Sequence, residues 1–260
     1  MAKQNDRAET FRRLHVKGQP LVLFNAWDAG SAQAVARGGA AAIATGSWSV
    51  AGAHGYGDGE KMPIDLVVES IARIAAAVDL PVSLDFEGGY GRAPQDVGAN
   101  LARVIEAGAI GINIEDQMIG GDGFYSAKEQ ASRIAACRAI ADGAGHPAFF
   151  VNARCDMFLK SKAEEHDEAM LDQVLERAAA YAVAGADGFF APGLVDETLI
   201  GKLCEKATLP VNVLVFPATP PAPRLAELGI ARISHGPGPW RRAMVALEEA
   251  ARAAHDAPKG

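Results

Sequence analysis

Two carboxylates, Asp85 and Glu87, close the short apolar run Pro81-Val-Ser-Leu84 and are followed at once by Gly88-Gly89. A proline start, β-branched and aliphatic residues and a Gly-Gly stop predict a buried strand. The two acids share one parity, so a pleated backbone would point both to the same side. Acids side by side at a buried strand end are costly unless a cation or a proton neutralises them. The pattern suits a hard metal site, in which oxygen ligands and retained waters hold Mg²⁺ or Mn²⁺. A surface turn carrying two solvated acids is the bland alternative.

The elements around this stretch alternate. Runs at 21–28, 41–47, 81–84, 109–116, 149–156, 188–193, 211–216 and 231–236 read as strands, and a helical pattern follows each of them. A short helix over Arg7 to His15 precedes the first strand, and Gly18-Gln-Pro20 stops it. Gly/Ser-rich turns or loops are expected at Thr45-Gly46-Ser47, His54 to Lys61 and Gln117 to Ser126. Strict strand–helix alternation implies parallel pairing, and eight such units in 260 residues make an α/β protein, a (β/α)₈ barrel spanning 1–260 as a single domain. An open doubly wound sheet would want a Gly-rich turn after its first strand, and Asn25-Ala-Trp-Asp-Ala29 lacks one.

Composition narrows the partners. A net charge of -7 with no Lys/Arg cluster argues against nucleic acid and anionic membranes. Cys137, Cys155 and Cys204 have neither metal-ligand nor CxxC spacing, which suits a reducing compartment. Met1 to His15 is polar, and no run of eighteen apolar residues occurs, so a soluble, cytoplasmic protein is expected.

In such a barrel the active-site groups come from the C-terminal ends of the strands. Those ends carry Trp27 and Asp28, Thr45-Gly46-Ser47, Asp85 and Glu87, Glu115 and Asp116, Arg154 and Asp156, Phe216 and His235. Arg154 either balances Glu115 or Asp156 or grips a substrate carboxylate bidentately. A divalent cation on the acids, an arginine for an anionic group and small backbone donors at Thr45-Gly46-Ser47 would receive a small chelating oxyacid. The metal would act as a Lewis acid and stabilise an enolate as a neighbouring bond breaks.

Six stretches carry a resemblance to a known family: Leu21 to Ala32, Ala44 to Val50, the loop around Gly57-Asp58, Asp85 to Gly91, Gly111 to Asp116 and Asn152 to Asp156. Over nearly its full length the chain resembles the phosphoenolpyruvate mutase/isocitrate lyase superfamily, and within it the small bacterial phosphonomutase-like branch. The resemblance implies Mg²⁺ (or Mn²⁺) at Asp85, with help from Glu87 and Glu115. It implies substrate contacts at Gly46 and Ser47, with Trp27, Thr45 and Asp85 at neighbouring strand ends, an anion-binding Arg154, and Asp58 on a loop beside the reacting centre. A Mg-dependent lyase or decarboxylase cleaving a C–C or C–P bond of a small 2-oxo or 2-hydroxy carboxylate follows, as does a homo-oligomer, dimer or tetramer, that exchanges its C-terminal helix.

Departures from the family pattern bear on the reaction. Family lyases carry Lys-(Lys/Arg)-Cys-Gly-His in the loop after the fourth strand; here Gln117 to Ser126 contains no Cys, His or Lys. Asp usually stands where this chain has Glu87. His235 and Tyr125 remain as proton donors, His235 having the alternative use of bonding its own turn. Two other readings stay open: a sugar-phosphate barrel enzyme using Ser234 to Gly238 as a phosphate cradle, and a catalytically silent oxyacid-binding homologue.

Overall fold

A computed structural model describes residues 2–256. In chain order the elements are α1 (Ala2–Arg13), β1 (Leu21–Leu23), α2 (Ala29–Arg37), β2 (Ile43–Ala44), α3 (Ser47–Ala53), α4 (Ile64–Ala77), β3 (Val82–Asp85) and α5 (Pro94–Glu106). They continue with β4 (Gly111–Glu115), α6 (Ala127–Gly143), β5 (Phe150–Arg154), α7 (Met157–Lys160), α8 (Glu168–Val183) and β6 (Gly188–Phe190). The chain closes with α9 (Glu197–Lys206), β7 (Val211–Leu214), α10 (Ala222–Glu227), β8 (Arg232–Ser234) and α11 (Gly238–Asp256).

All eight strands pair in parallel in the order β1-β8-β7-β6-β5-β4-β3-β2. A parallel bridge between Ala26 and Thr45 joins the two end strands and closes the sheet. The fold is the expected (β/α)₈ barrel. Its main core lies between sheet and helices, where Ile112, Ile114, Val151, Phe189 and Val213 meet Ile71, Leu101, Ile134, Val174 and Leu203. No described helix is long and apolar enough to cross a membrane.

The barrel interior is unusually polar for a fold whose lumen is commonly filled by branched apolar side chains. Asn152 donates to Asn113 and Asn212, Asn212 donates to Ser234, and Arg232 donates to Asn113 at 3.0 Å. Gly188 makes room for this layer, because a Cβ there would lie 2.6 Å from Asn152 Oδ1. Below it, α1 plugs the N-terminal end of the barrel with Phe11, which meets Phe150 edge to face at 5.3 Å, while His15 stacks on Phe150 at 4.1 Å. The plug explains why α1 begins at Ala2 rather than near Arg7: Gln4 already donates to the carbonyls of Ile105 and Ala109 on the barrel's underside.

One element stands where a turn was expected. Ser47–Ala53 is helical, with Gly46 as N-cap and Ser49, Val50 and Ala51 buried. Burial of that face overrides the turn propensity of Gly and Ser.

Candidate active site

At the C-terminal end of the strands lies a cavity of about 540 Å³ whose lining includes Gly46, Ser47, Asp58, Asp85, Asn113 and Arg154. Asp85, the last residue of β3, is its focus. The backbone N–H of Ser47, the first residue of α3, donates to Asp85 Oδ2 at 3.0 Å, and the Asp85 N–H donates to Thr45 Oγ1 at 2.9 Å. Thr45 therefore holds the strand end rather than reaching the cavity. Asp85 Oδ1 is buried and has no hydrogen-bond partner, with Arg154 Nη1 4.0 Å away.

Arg154 comes from the end of β5 and is gripped by acids on two sides. Its Nε and Nη2 donate to Asp156 at 2.6 and 2.9 Å, and its Nη1 lies 2.9 Å from Glu115 Oε2. These acids hold the guanidinium well above its usual pKa despite its burial. Of the two uses expected for Arg154, the charge-balancing one is present, since it pairs with Glu115 and Asp156, and the residue also lines the cavity. Asp156 is steadied in turn: its N–H donates to Asp116 Oδ1, and Asp116 Oδ2 accepts from Arg177 and from the Tyr181 hydroxyl.

The remaining acids hold protons readily. Burial, reinforced by Asp85, raises the pKa of Asp58, whose Oδ1 accepts from the Ser47 hydroxyl at 3.2 Å. Glu115, 6% exposed at the end of β4, is pushed up by burial against the opposing pull of Arg154. Glu87 is raised to about 7, again chiefly by burial. Such a set is discharged either by protons or by a divalent cation. Among the described residues no three His, Cys, Asp or Glu side chains converge tightly enough to enclose an ion by themselves. Mg²⁺ characteristically takes one or two carboxylates and keeps several waters, and the unpartnered oxygen of Asp85 fits that demand.

Glu87 departs from simple strand parity. β3 ends at Asp85, and Glu87 has a left-handed φ of 50°. Its carboxylate accepts from the Glu60 N–H at 2.7 Å and the Tyr90 hydroxyl at 2.5 Å. Trp27 lines a groove on the outer face of β1 and α2, not this cavity. His235 lies on the cavity wall, but its ring packs against Phe24 at 5.2 Å, and burial together with Arg242 lowers its pKa. Tyr125 carries Arg133 over its ring at 4.2 Å.

A family model described as phosphoenolpyruvate phosphomutase matches residues 11–255. The chain belongs to the phosphoenolpyruvate phosphomutase family. Its superfamily, that of phosphoenolpyruvate mutase and isocitrate lyase, comprises lyases, mutases and hydrolases acting on small carboxylates. A phosphonomutase-like protein from Burkholderia cenocepacia superposes with a TM-score of 0.94 at 50% identity, covering 96% of this chain and 99% of that one. The 2-methylisocitrate lyase of Salmonella typhimurium is 31% identical over 82% of this chain and 72% of its own. Phosphonopyruvate hydrolase, crystallised with oxalate and Mg²⁺, shares the fold with a TM-score of 0.82 at 22% identity, covering 96% of this chain and 87% of that one.

Several contributors to this phosphomutase-family site escape a reading by strand parity. Asn25 Oδ1 accepts from the N–H groups of His235 and Gly236, and its amide donates to Thr45 O, tying the ends of β1, β2 and β8 together. Arg241 and Arg242, in the first turns of α11, also line the cavity. Arg241 stacks over Trp48 at 4.5 Å and Arg242 over Phe24 at 5.2 Å. The only signal for them was two consecutive arginines just past Gly236-Pro-Gly-Pro239, beyond the strand end where parity counting stops.

Proposed function

We propose that this chain is a Mg²⁺-dependent enzyme that cleaves a C–C bond of a small 2-oxo or 2-hydroxy carboxylate by way of an enolate. The observation that carries this reading is the free, buried Oδ1 of Asp85, facing Arg154 and fixed through its other oxygen by Ser47. Asp85 would hold the ion, with Glu115 and, through water, Glu87 as further oxygen ligands. Bound there, the ion supplies Lewis acidity toward an enolate oxygen.

The chain's own side chains supply the rest. Arg154 presents positive charge to the substrate's anionic end from a guanidinium already oriented by Asp156. Asp58, with its raised pKa and its hydroxyl partner Ser47, is positioned to hold a proton and transfer it at the cavity wall. Leu159, Phe190 and Leu214 line the same cavity and exclude water around the reacting carbons. Arg241 and Arg242 at the rim favour a substrate bearing more than one negative charge. The test is turnover of oxaloacetate, substituted malates and phosphonopyruvate with Mg²⁺ and with EDTA, together with oxalate binding. Absence of both metal-dependent turnover and oxalate binding would sink this reading.

We also propose a homo-oligomer in which α11 docks on a second copy. Only Pro239 of this helix is buried, and Val245 and Leu247 are 54% and 63% exposed. Beside β1 and α2 an outer groove of about 1050 Å³ leaves Val22 and Phe24 exposed, an apolar surface of the kind an apolar helix face covers. Sedimentation should give a dimer or tetramer, and Leu247→Asp should dissociate it; a monomeric parent chain overturns the proposal. A cytoplasmic location accords with three free, buried cysteines.

A further inference from the structure

Three non-glycine residues among those described adopt a left-handed backbone: Glu60 at φ 57°, Glu87 at 50° and Tyr90 at 55°. L side chains seldom take this conformation, and such outliers persist only where surrounding contacts over-determine them. All three are bonded to one another. The Glu60 N–H donates to Glu87 Oε2 at 2.7 Å, the Tyr90 N–H donates to Glu60 Oε1 at 2.7 Å, and the Tyr90 hydroxyl donates to Glu87 Oε1 at 2.5 Å. The ring crosses between two segments, since Glu60 belongs to the loop between α3 and α4 whereas Glu87 and Tyr90 follow β3.

The two sides of this ring differ in rigidity. On the β3 side the turn is anchored from below: buried Arg133 of α6 donates to the carbonyls of Gly88, Gly91 and Arg92, and Asn100 donates to those of Gly89 and Tyr90. The approach at Gly88 is close, because a Cβ there would lie 3.0 Å from Glu60 Oε1 and 3.1 Å from Ile119 Cδ1 and would oblige those side chains to give. On the other side the glycine-rich loop carries Asp58 two residues before Glu60, and apart from Asp58 to Ser47 its tip has few ties to the barrel. Glu60 thus fastens a light loop to a braced turn.

We propose that Glu60, Glu87 and Tyr90 form a latch that holds the Asp58-bearing loop closed over the cavity, making Tyr90 and Glu60 positioning residues for Asp58. The consequence for catalysis rests on the function proposed above; the latch itself does not. Release requires breaking the two bonds that cross to Glu60, from its N–H to Glu87 and from the Tyr90 N–H to its carboxylate, and it frees Glu60 from a disfavoured backbone conformation, so the loop has a closed state and a ready route out of it. The Tyr90 hydroxyl holds the Glu87 acceptor in place within the turn.

The test uses the full chain. Hydrogen exchange of the amides at 57–61, read without substrate, should run about 10- to 100-fold faster in Tyr90→Phe and in Glu60→Ala. Glu60→Gln, which keeps an acceptor for the Tyr90 N–H, should stay near the parent. With a substrate in hand, Tyr90→Phe should lower kcat more than it raises KM, because Asp58 is displaced while Arg154 and Asp85 stay in place. Faster loop exchange with no turnover on any substrate would uphold the latch and count against the proposed reaction. Unchanged exchange at 57–61 in both Tyr90→Phe and Glu60→Ala, whatever happens to melting temperature or turnover, overturns the latch. Should Tyr90→Phe fail to fold, Glu60→Ala against Glu60→Gln decides alone.

Discussion

Ser47 donates its backbone N–H to one oxygen of Asp85 at 3.0 Å and leaves the other oxygen buried without a partner. The first residue of α3 and the last of β3 together hold one carboxylate lone pair aimed at the cavity. Asp85→Ala removes that oxygen. Mg²⁺-supported oxalate binding, followed by calorimetry, should weaken by about 100-fold or more while the fold survives. Undiminished, metal-dependent oxalate binding by a folded Asp85→Ala protein would remove the basis of the proposed function.

Without a divalent cation, stability should fall as pH rises through the neutral range. Glu87 keeps its proton up to about pH 7 in the fold, against an ordinary value of 4.5, chiefly because it is buried. Between those two values the folded protein binds more protons than the unfolded chain, so stability declines across that window and levels off above it. Glu87 alone accounts for a loss on the order of 3 kcal/mol, and the upward shifts of Asp58 and Glu115 act in the same direction. Urea denaturation at pH 5 and pH 8 with EDTA measures the decline. Added Mg²⁺ should stabilise more at pH 8 than at pH 5, and equal stability at both pH values in EDTA refutes the assignment.

Much of this was legible because it is local. Alternation of apolar strands with helical patterns is written into each window of sequence, and α2 has the bounds, Ala29 to Arg37, that its Gly38-Gly39 stop implies. Asp58, Gly46, Ser47, Asp85 and Arg154 lie at loop or strand-end positions, and they line one cavity. What stayed hidden depends on tertiary contact. α3 carries Gly and Ser at its start, and its burial decides against a turn. The parity that pairs Asp85 with Glu87 assumes the pleat continues, whereas Glu87 has a left-handed φ and its carboxylate bonds the N–H of Glu60, a residue 27 positions away. Trp27 follows a strand end yet faces the outer groove, because the chain has already turned into α2.

Asp116 should prove a stability residue rather than a ligand. It is fully buried, and its carboxylate accepts from the Asp156 N–H, from Arg177 and from Tyr181. Asp116→Ala strands the buried Asp156 N–H and the Tyr181 hydroxyl and removes the counter-charge of Arg177, a change that costs about 3–5 kcal/mol. Chemical denaturation should register that loss in full. A midpoint within error of the parent protein would show the network to be dispensable.

Arg232 poses the opposite case. It is fully buried inside the barrel, it donates through Nη2 to Asn113, and its Nε and Nη1 have no partner. Burial lowers its pKa to about 9, with Asp85 providing the opposing pull. A buried cation with two unmet donors costs more than an apolar side chain of similar length that fills the same space over Phe11. Removing it leaves Asn113 Oδ1 still accepting from Asn152. Arg232→Met should therefore be neutral or stabilising by about 1–3 kcal/mol, seen as a urea midpoint at or above the parent's. Because Arg232 sits beneath Asp85 and bears positive charge, the same substitution should raise Mg²⁺ affinity by about tenfold or less, the reach of one screened charge across a polar core. A destabilised Arg232→Met protein that binds Mg²⁺ no better would instead make Arg232 a required polar brace of the lumen.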